Sequence, residues 1–268
     1  MNHLTHSLML TLSGLFLTLS NHAGAQSGEE RGSSEIRISL VAIGNPPQPR
    51  FEIRDDRRHL VDTPVSEYPP PEIVLRESRR NTERFRSVPL GLNAPTGTIL
   101  YRGGRTLDLF RDDQGASRSG FVSLTLPETR NDLTVFLTRN RSSKSWEREP
   151  QAHYFDNGLS AFPNDSVRVI NLSSVPIRTR INDGRVFQVR AGGSNVVRIT
   201  RKDQGILAYQ IAAVLGEEVF PLIDTATTAM PDTRFNLVVY NSDSSDARAP
   251  VDLTSYFERP LREDPDFE

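Results

Sequence analysis

Short apolar runs recur along the chain between turn-forming residues, and few of them have helical spacing. Apolar and polar positions alternate in runs such as GFVSLTL, LTVFLT, SVRVINL and FNLVVY. Alternation with a period of two, bounded by turn residues, predicts half-buried β-strands. A helix remains the alternative for one segment, ILAYQIAAVLGEE. The pattern as a whole predicts an all-β fold.

One ten-residue phrase occurs twice. PETRNDLTVF begins at Pro127 and PDTRFNLVVY begins at Pro231, 231 − 127 = 104 positions later. In both copies Pro followed by an acid is turn chemistry, because Pro fixes φ and the acid tolerates the next turn position. Alternating apolar residues follow: Leu133, Val135 and Leu137 in the first copy, and Phe235, Leu237 and Val239 in the second. Each copy is therefore predicted to be a turn leading into a strand.

Two further echoes accompany the repeat. YFDNGL begins at Tyr154 and YFERPL at Tyr256, 256 − 154 = 102 positions later, and EIRIS at Glu35 resembles SVRVI at Ser166. Two ordered pairs at offsets of 104 and 102 indicate an internal duplication, and the larger offset of the third pair, 166 − 35 = 131, indicates extra residues in the front half of the first copy. With many short strands and turns, the duplication predicts two tandem immunoglobulin-like β-sandwich domains.

The predicted organisation has five parts. They are a signal peptide (1–25), a linker (26–34), a first β-domain (35–159) with a Pro- and Arg-rich insertion near 57–86, a second β-domain (160–261) and an acidic tail (262–268). Pro69 to Pro71 cannot lie in a central strand, so they predict a loop or edge crossover. Asp183-Gly184 predicts a hairpin turn with positive φ.

The first 25 residues predict export. They contain no Asp, Glu, Lys or Arg and include a 12-residue apolar run, Leu8 to Leu19, which is shorter than the roughly 20 residues that span a bilayer. Small residues follow, with an A-x-A pattern that predicts cleavage between Ala25 and Gln26. The amino terminus lacks the usual Lys or Arg, so a buried helix is the alternative. No second apolar stretch is long enough to anchor the mature chain, which is expected in the periplasm or outside the cell.

The absence of Cys excludes disulfides and thiolate ligands, so an exported chain must rely on its hydrophobic core. Among the basic residues only Lys144 and Lys202 are Lys. This bias towards Arg is typical of a GC-rich genome and favours a bacterial source.

One stretch resembles a group of exported bacterial proteins built from two tandem β-domains. The resemblance lies in AFPNDSVRVINLS and IRTRINDGRVFQVRAGG, with a V-R-V-x-N-L-S phrase at Val167 to Ser173 and a glycine turn at Ala191 to Gly193. It covers most of the region from Pro89 to Tyr240 and implies the same two-domain architecture. That family has no established activity, so the resemblance implies no functional residue.

Few residues suit catalysis. After signal removal only His59 and His153 remain for a Ser-His-Asp triad, and no G-x-S-x-G elbow is present. A zinc site would need carboxylates for its other ligands. YRGGR (Tyr101 to Arg105) lacks the length of a phosphate-binding loop and predicts a hairpin turn. We predict no catalytic residue, no cofactor and no metal.

The acidic residues allow two alternative kinds of site, a glycosidic one and a calcium-binding one. A facing pair could perform glycosidic chemistry, but the acids lie mostly in turns, and none is expected inside an apolar strand, where burial would raise its pKa. Calcium could bind at Asp112-Asp113 or at Asp243 and Asp246, although the ligand spacing of a binding loop is missing. Solvated turns are the favoured interpretation.

Charge is distributed unevenly in the second copy. The segment from Asp165 to Lys202 contains eight basic residues and two acids. The segment from Glu217 to Glu268 contains twelve acids and four Arg. Alternation in IRTRI places Arg178 and Arg180 on one face, and the following turn is expected to bring Arg185 beside them. Guanidinium groups in this arrangement suit phosphate or carboxylate. The alternative is cross-strand pairing with the acidic half.

Composition and these candidates together predict an exported, non-catalytic binding or structural module. The expected partner is an anionic polymer or glycan, or another envelope protein. The net charge of −2 argues against a general nucleic-acid binder. The aromatic residues near the junction of the copies are expected to pack rather than to bind sugars: Trp146, Tyr154, Phe155 and Phe162. The alternative function is a secreted hydrolase or its accessory domain.

Overall fold

A computed structural model describes residues 35–79, 82–111, 120–140, 145–199, 205–243 and 250–259. The signal peptide, its cleavage site at Ala25 and Gln26, the linker and the acidic tail lie outside these residues. Within the described part the regular structure is all-β apart from one 3₁₀ helix, Val65–Glu67. The described residues of the first half form ten strands: β1 (Ile36–Ile43), β2 (Arg50–Arg54), β3 (Arg57–Val61), β4 (Glu72–Arg79), β5 (Thr82–Pro89), β6 (Ile99–Tyr101), β7 (Thr106–Arg111), β8 (Gly120–Thr125), β9 (Asp132–Thr138) and β10 (Gln151–Asp156).

The first half forms two four-stranded sheets and a separate hairpin. Sheet I has the order β10-β9-β1-β6, in which β1 runs parallel to β9 and antiparallel to β6. Sheet II has the order β5-β4-β7-β8 and is antiparallel throughout. Strands β2 and β3 pair only with each other.

The second half repeats this pairing scheme without the hairpin. Sheet III has the order β14-β11-β17-β18, again with a central parallel pair, β11 and β17, and sheet IV has the antiparallel order β13-β12-β15-β16. The strands are β11 (Ser166–Asn171), β12 (Ile177–Ile181), β13 (Phe187–Val189), β14 (Ser194–Arg198), β15 (Leu207–Leu215), β16 (Glu218–Thr227), β17 (Arg234–Asn241) and β18 (Val251–Glu258). The segment that also permitted a helix is strand β15.

The repeated phrases occupy corresponding strands, β9 and β17. Leu133 pairs with Ile38 of β1, and Leu237 pairs with Val169 of β11. The two parallel pairs therefore share one register, which includes the echo between EIRIS and SVRVI. In both halves the first strand of the half lies beside the repeated phrase.

The echo at Tyr154 and Tyr256 does not share that register. Tyr154 pairs with Val135 of β9, whereas the residue that pairs with the corresponding Val239 of β17 is Leu253. Tyr256 lies three positions further along β18 and therefore points to the opposite side of its sheet. The matching letters do not mark equivalent positions.

The extra segment of the first half also differs from the prediction near 57–86. It lies between β1 and β4, where the second half has only a short link, and it contains the β2–β3 hairpin and the 3₁₀ helix. Residues from Glu72 onwards belong to β4 and β5, which have counterparts in β12 and β13. Pro69 to Pro71 lie outside any strand, as expected.

Each half has its own core between its two sheets. Leu133, Val135 and Leu137 of sheet I pack with residues of sheet II such as Leu75 and Leu107. The second core joins Phe235, Leu237 and Val239 of sheet III to residues of sheet IV such as Ile177 and Ile211. Alternation correctly identified the residues that face these cores.

The prediction of half-buried strands was wrong for the repeated phrases, because β9 and β17 are buried on both faces. Their other faces pack against each other where sheet I meets sheet III, a contact we call the seam. Its apolar part consists of Val41, Ile43, Phe136, Ile170, Leu172, Val238 and Tyr240. Polar contacts flank it: Asn45 donates to Asp252 (Nδ2 to Oδ2, 2.6 Å), and Arg139 forms an ion pair with Asp243.

The segment Tyr101 to Arg105 is not the predicted hairpin turn. Strand β6 pairs in sheet I and β7 in sheet II, so the segment carries the chain from one sheet to the other. A Cβ at Gly103 would lie 2.1 Å from the Tyr101 hydroxyl oxygen, and that hydroxyl donates to the carbonyl of Thr106 (2.6 Å). Gly103 is needed because the Tyr101 ring occupies the space of a side chain.

Within the described residues no helix is long and apolar enough to cross a membrane.

Candidate functional site

Strand β12 carries two of the predicted site residues on its solvent face. Ile177, Thr179 and Ile181 are buried towards the second core, and Arg178 and Arg180 alternate with them and are exposed. The core requires apolar or small residues at every second position, so the positions between them must face outwards. The predicted placement of Arg178 and Arg180 on one face is confirmed.

The neighbours of these arginines across the sheet are neutral. Arg178 lies between Gln188 of β13 and Ala212 of β15, and Arg180 lies opposite Gln210. The Gln210 side chain donates to the carboxylate of Asp224 on the next strand (2.8 Å). Within the described part of the chain, neither Arg178 nor Arg180 forms an ion pair. The cross-strand pairing with acids that the sequence left open is not present there.

Arg185 is exposed, but it lies in the link between β12 and β13 rather than on a strand. The predicted positive φ at Asp183-Gly184 was wrong: Asn182 has a φ of 47°, and the Gly184 amide donates to the carbonyl of Ile181 (3.0 Å). A Cβ at Gly184 would lie 2.8 Å from that carbonyl oxygen. The glycine is required by this close approach.

Sequence reasoning counted Arg190 as basic but did not include it in the site. Arg190 is exposed one position beyond β13, and it alternates with Val189, which is buried. The same period of two in FQVR would have placed Gln188 and Arg190 outwards. We call Arg178, Arg180, Arg185 and Arg190 the outer arginine face.

Two other arginines of the second half are buried where the two halves meet, outside the apolar part of the seam. Arg168 of β11 is 1% exposed and Arg234 of β17 is 2% exposed. Their guanidinium carbons lie 4.2 Å and 5.1 Å from the centre of the Phe162 ring. This geometry is that of cation–π contacts, which a sequence count of basic residues does not reveal.

Hydrogen bonds from Arg168 join the two halves. Its guanidinium donates to Oδ1 of Asn236 (2.9 Å), to the carbonyl of Asp156 (2.8 Å) and to Oδ1 of Asn157 (2.9 Å). Burial lowers the pKa of Arg168, and the charge of Glu258 opposes that shift. Arg168 therefore holds the seam together and takes no part in the outer arginine face.

Arg234 makes a similar set of contacts beside a cleft. It donates to the carbonyl of Asn157 (2.7 Å) and lies 3.3 Å from a carboxylate oxygen of Glu258. The cleft has a volume of about 760 Å³ and is lined by both residues and by Asp132. We call it the seam cleft.

Asp132 corrects the expectation that no acid is buried in an apolar strand. It begins β9 and is half-buried, and burial raises its pKa while Arg234 and Arg37 act in the opposite direction. Asp108 is a second exception, because it lies in β7 between the buried Leu107 and Leu109. Arg76 forms an ion pair with Asp108.

The histidines do not form a triad within the described residues. His59 is exposed on β3 opposite Glu52. His153 is half-buried on β10 opposite Phe136, and burial lowers its pKa. Neither makes a hydrogen bond to a described residue.

No group of three or more His, Cys, Asp or Glu in this part of the chain could hold a metal. Asp112, Asp113 and Asp246 of the calcium candidates lie outside the described residues.

The four aromatic residues near the junction are packed, as predicted, but in three different places. Trp146 and Tyr154 contribute to the first core. Phe155 packs at the apolar part of the seam against Phe136, with ring centres 5.7 Å apart. Phe162 is fully buried against Arg168 and Arg234. None of them forms an exposed sugar-binding platform.

No protein-family model matches the chain, and no curated protein matches it. Among solved structures, it is similar to the crystal structure of a "putative cell adhesion protein" from Bacteroides eggerthii. The identity is 8%, the alignment covers 87% of this chain and 98% of that one, and the TM-score is 0.22.

Proposed function

We propose that the protein is an exported, non-catalytic binding module made of two immunoglobulin-like β-sandwiches that arose by duplication. The shared strand order of the halves supports the duplication, and so does the shared register of the pairs β1–β9 and β11–β17. The domain boundaries are those predicted above, with the extra segment moved to lie between β1 and β4. Export rests on the sequence of residues 1–25.

The ligand that fits best is an anionic polymer, such as an acidic glycan, bound at the outer arginine face. The observation that carries this proposal is that Arg178 and Arg180 have no acidic cross-strand partner among the described residues: their partners are Gln188, Ala212 and Gln210. Exposed guanidinium groups without an acidic neighbour can receive carboxylate or sulfate groups in forked hydrogen bonds. A sheet face suits a long chain better than a small molecule, because it offers repeated contacts along one surface.

A secreted hydrolase is the second candidate, favoured by one observation. Asp132 and Glu258 both line the seam cleft, and a carboxyl group with a raised pKa is what a general acid requires. The charges of Arg234 and Arg37, however, oppose the rise in the pKa of Asp132, because a nearby guanidinium favours the ionised form of a carboxyl group. We therefore place the hydrolase second; release of reducing ends from an acidic glycan, abolished by Asp132→Asn, would promote it to first.

The test is retention on immobilised polygalacturonate. The whole chain has a net charge of −2, so retention requires a local basic surface. We expect the wild type to be retained near 0.01 M salt, where the screening length is about 30 Å, and released near 0.15 M, where it is about 8 Å. The triple variant Arg178→Ala, Arg180→Ala, Arg185→Ala is expected to pass through at both concentrations.

The matched control removes the same charge elsewhere. Arg57, Arg58 and Arg84 are exposed on β3 and β5 of the first half, and their triple alanine variant is expected to elute with the wild type. If the two triple variants elute together, retention reflects net charge and the outer arginine face is not a binding site.

A further inference from the structure

The seam cleft has the size of a small-molecule site and a largely polar lining. Its volume of about 760 Å³ lies in the range of about 300–1,000 Å³ that ligand pockets occupy. It is lined by residues of both halves, among them Arg37 and Asp132 from the first and Arg234 and Glu258 from the second. Hydroxyl and amide side chains, including Thr98 and Asn131, complete the polar lining.

The cleft has more available cations than available anions. Glu35 forms an ion pair with Arg102 (2.7 Å), and Glu258 forms one with Arg234 (3.3 Å). Arg37 and Arg259 are exposed at the cleft. Within the described part of the chain neither of them makes an ion pair. Asp132 remains as their nearby counter-charge.

The wall of the cleft also contains a buried donor that no described residue pairs. Arg234 is 2% exposed and lines the cleft, and its Nε has no hydrogen-bond partner among the described residues. Buried donors in folded proteins almost always have an acceptor, and an unpaired one near a charged group is costly. This Nε has no surface open to the cleft, so Arg234 contributes its charge to the wall of the cleft rather than a direct contact with a ligand.

We propose that the seam cleft binds a small hydroxylated carboxylic acid, with the exposed guanidinium groups of Arg37 and Arg259 holding the carboxylate. The hydroxyl groups of the ligand would bond to the amide and hydroxyl side chains of the lining, such as Asn131 and Thr98. A sugar acid has this combination of groups. The site is distinct from the outer arginine face, which lies on sheet IV.

The test is calorimetric titration with D-galacturonic acid, with D-galactose as the matched ligand that lacks the carboxylate. We expect the wild type to bind the acid and to bind galactose at least about tenfold more weakly, as loss of a charged hydrogen bond implies. Arg37→Glu is expected to weaken binding of the acid by about tenfold or more. Because Arg37 is exposed, this variant should fold, and its melting curve checks that it does.

Two control variants locate the site. Arg84→Glu makes the same charge change at an exposed position of β5 and should bind galacturonic acid like the wild type. The triple alanine variant of Arg178, Arg180 and Arg185 should also bind it unchanged, even though it loses the polymer. The proposal is overturned if the wild type does not bind the acid, if galactose binds equally well, if Arg37→Glu binds like the wild type, or if the triple variant loses the small ligand.

Discussion

Arg168 and Arg178 occupy similar places in the sequence pattern and very different places in the molecule. Each alternates with residues of the second core and so points away from it. Sheet I covers the outer face of sheet III and buries Arg168, whereas Arg178 on sheet IV is exposed. Alternation tells which side of a sheet a residue occupies, but not what lies against that side. The buried arginines hold the halves together, and the exposed ones are available to a ligand.

The largest expected difference between the two sets concerns stability. Arg168→Ala would leave the acceptors on Asn236, Asn157 and Asp156 without their donor. Leaving a buried acceptor without its hydrogen-bond partner costs about 1–3 kcal/mol, and three acceptors lose theirs. Arg178→Ala at the exposed position should change the free energy of unfolding by no more than about 0.5 kcal/mol. Urea unfolding of both variants measures the difference, and equal losses would show that the seam is not fixed by Arg168.

The apolar part of the seam provides the next comparison. Ile170 is fully buried between the halves, and Ile170→Ala should cost about 2–5 kcal/mol, as for other truncations in a core. Ile53 on the β2–β3 hairpin is 76% exposed, and Ile53→Ala serves as the matched control, with a change of no more than about 0.5 kcal/mol. If Ile170→Ala were as mild as Ile53→Ala in urea unfolding, the two halves would not be packed as the seam requires.

A smaller effect should appear in the pH dependence of stability. Burial raises the pKa of Asp132 above its ordinary value of 3.8, so the folded protein keeps a proton at a pH where the unfolded chain has lost it. The stability of the wild type should therefore fall as pH rises through this window. Asp132→Asn should be the more stable protein at pH 7, with the advantage shrinking as the pH approaches 3. Thermal melts across this range check the sign, and a wild type more stable than Asp132→Asn at pH 7 would contradict it.

Much of the fold could be predicted from local pattern. Period-two alternation identified the core-facing residues of β9, β12 and β17, and the repeated phrases lie on corresponding strands. The echo between EIRIS and SVRVI holds its register because both strands pair with the repeated phrase. The residues shared between YFDNGL and YFERPL do not mark equivalent positions, because Tyr256 lies three positions out of register on the edge strand β18.

The seam and its cleft could not be predicted in the same way. Arg168, Arg234 and Asp132 acquire their environments from the packing of sheet I on sheet III, between residues far apart in the chain. The pattern within a short stretch of sequence does not predict a contact between residues that are distant in the chain. In contrast, the placement of Arg178 and Arg180 could be predicted from sequence, since their exposure follows from the alternation of a single strand, β12. The absence of acidic partners beside Arg178 and Arg180 could not be predicted, because it depends on the strand order of sheet IV.

Arginine-specific modification by phenylglyoxal, mapped residue by residue by mass spectrometry, tests the contrast between the two arginine sets most directly. In the free protein Arg178, Arg180 and Arg185 should react readily, and the buried Arg168 and Arg234 should react slowly. Added polygalacturonate at low salt should protect the first three and leave Arg57 and Arg58, exposed on the hairpin, unprotected. If the polymer protects none of Arg178, Arg180 and Arg185, or protects Arg57 and Arg58 equally, the outer arginine face is ordinary solvated surface and the proposed function is wrong.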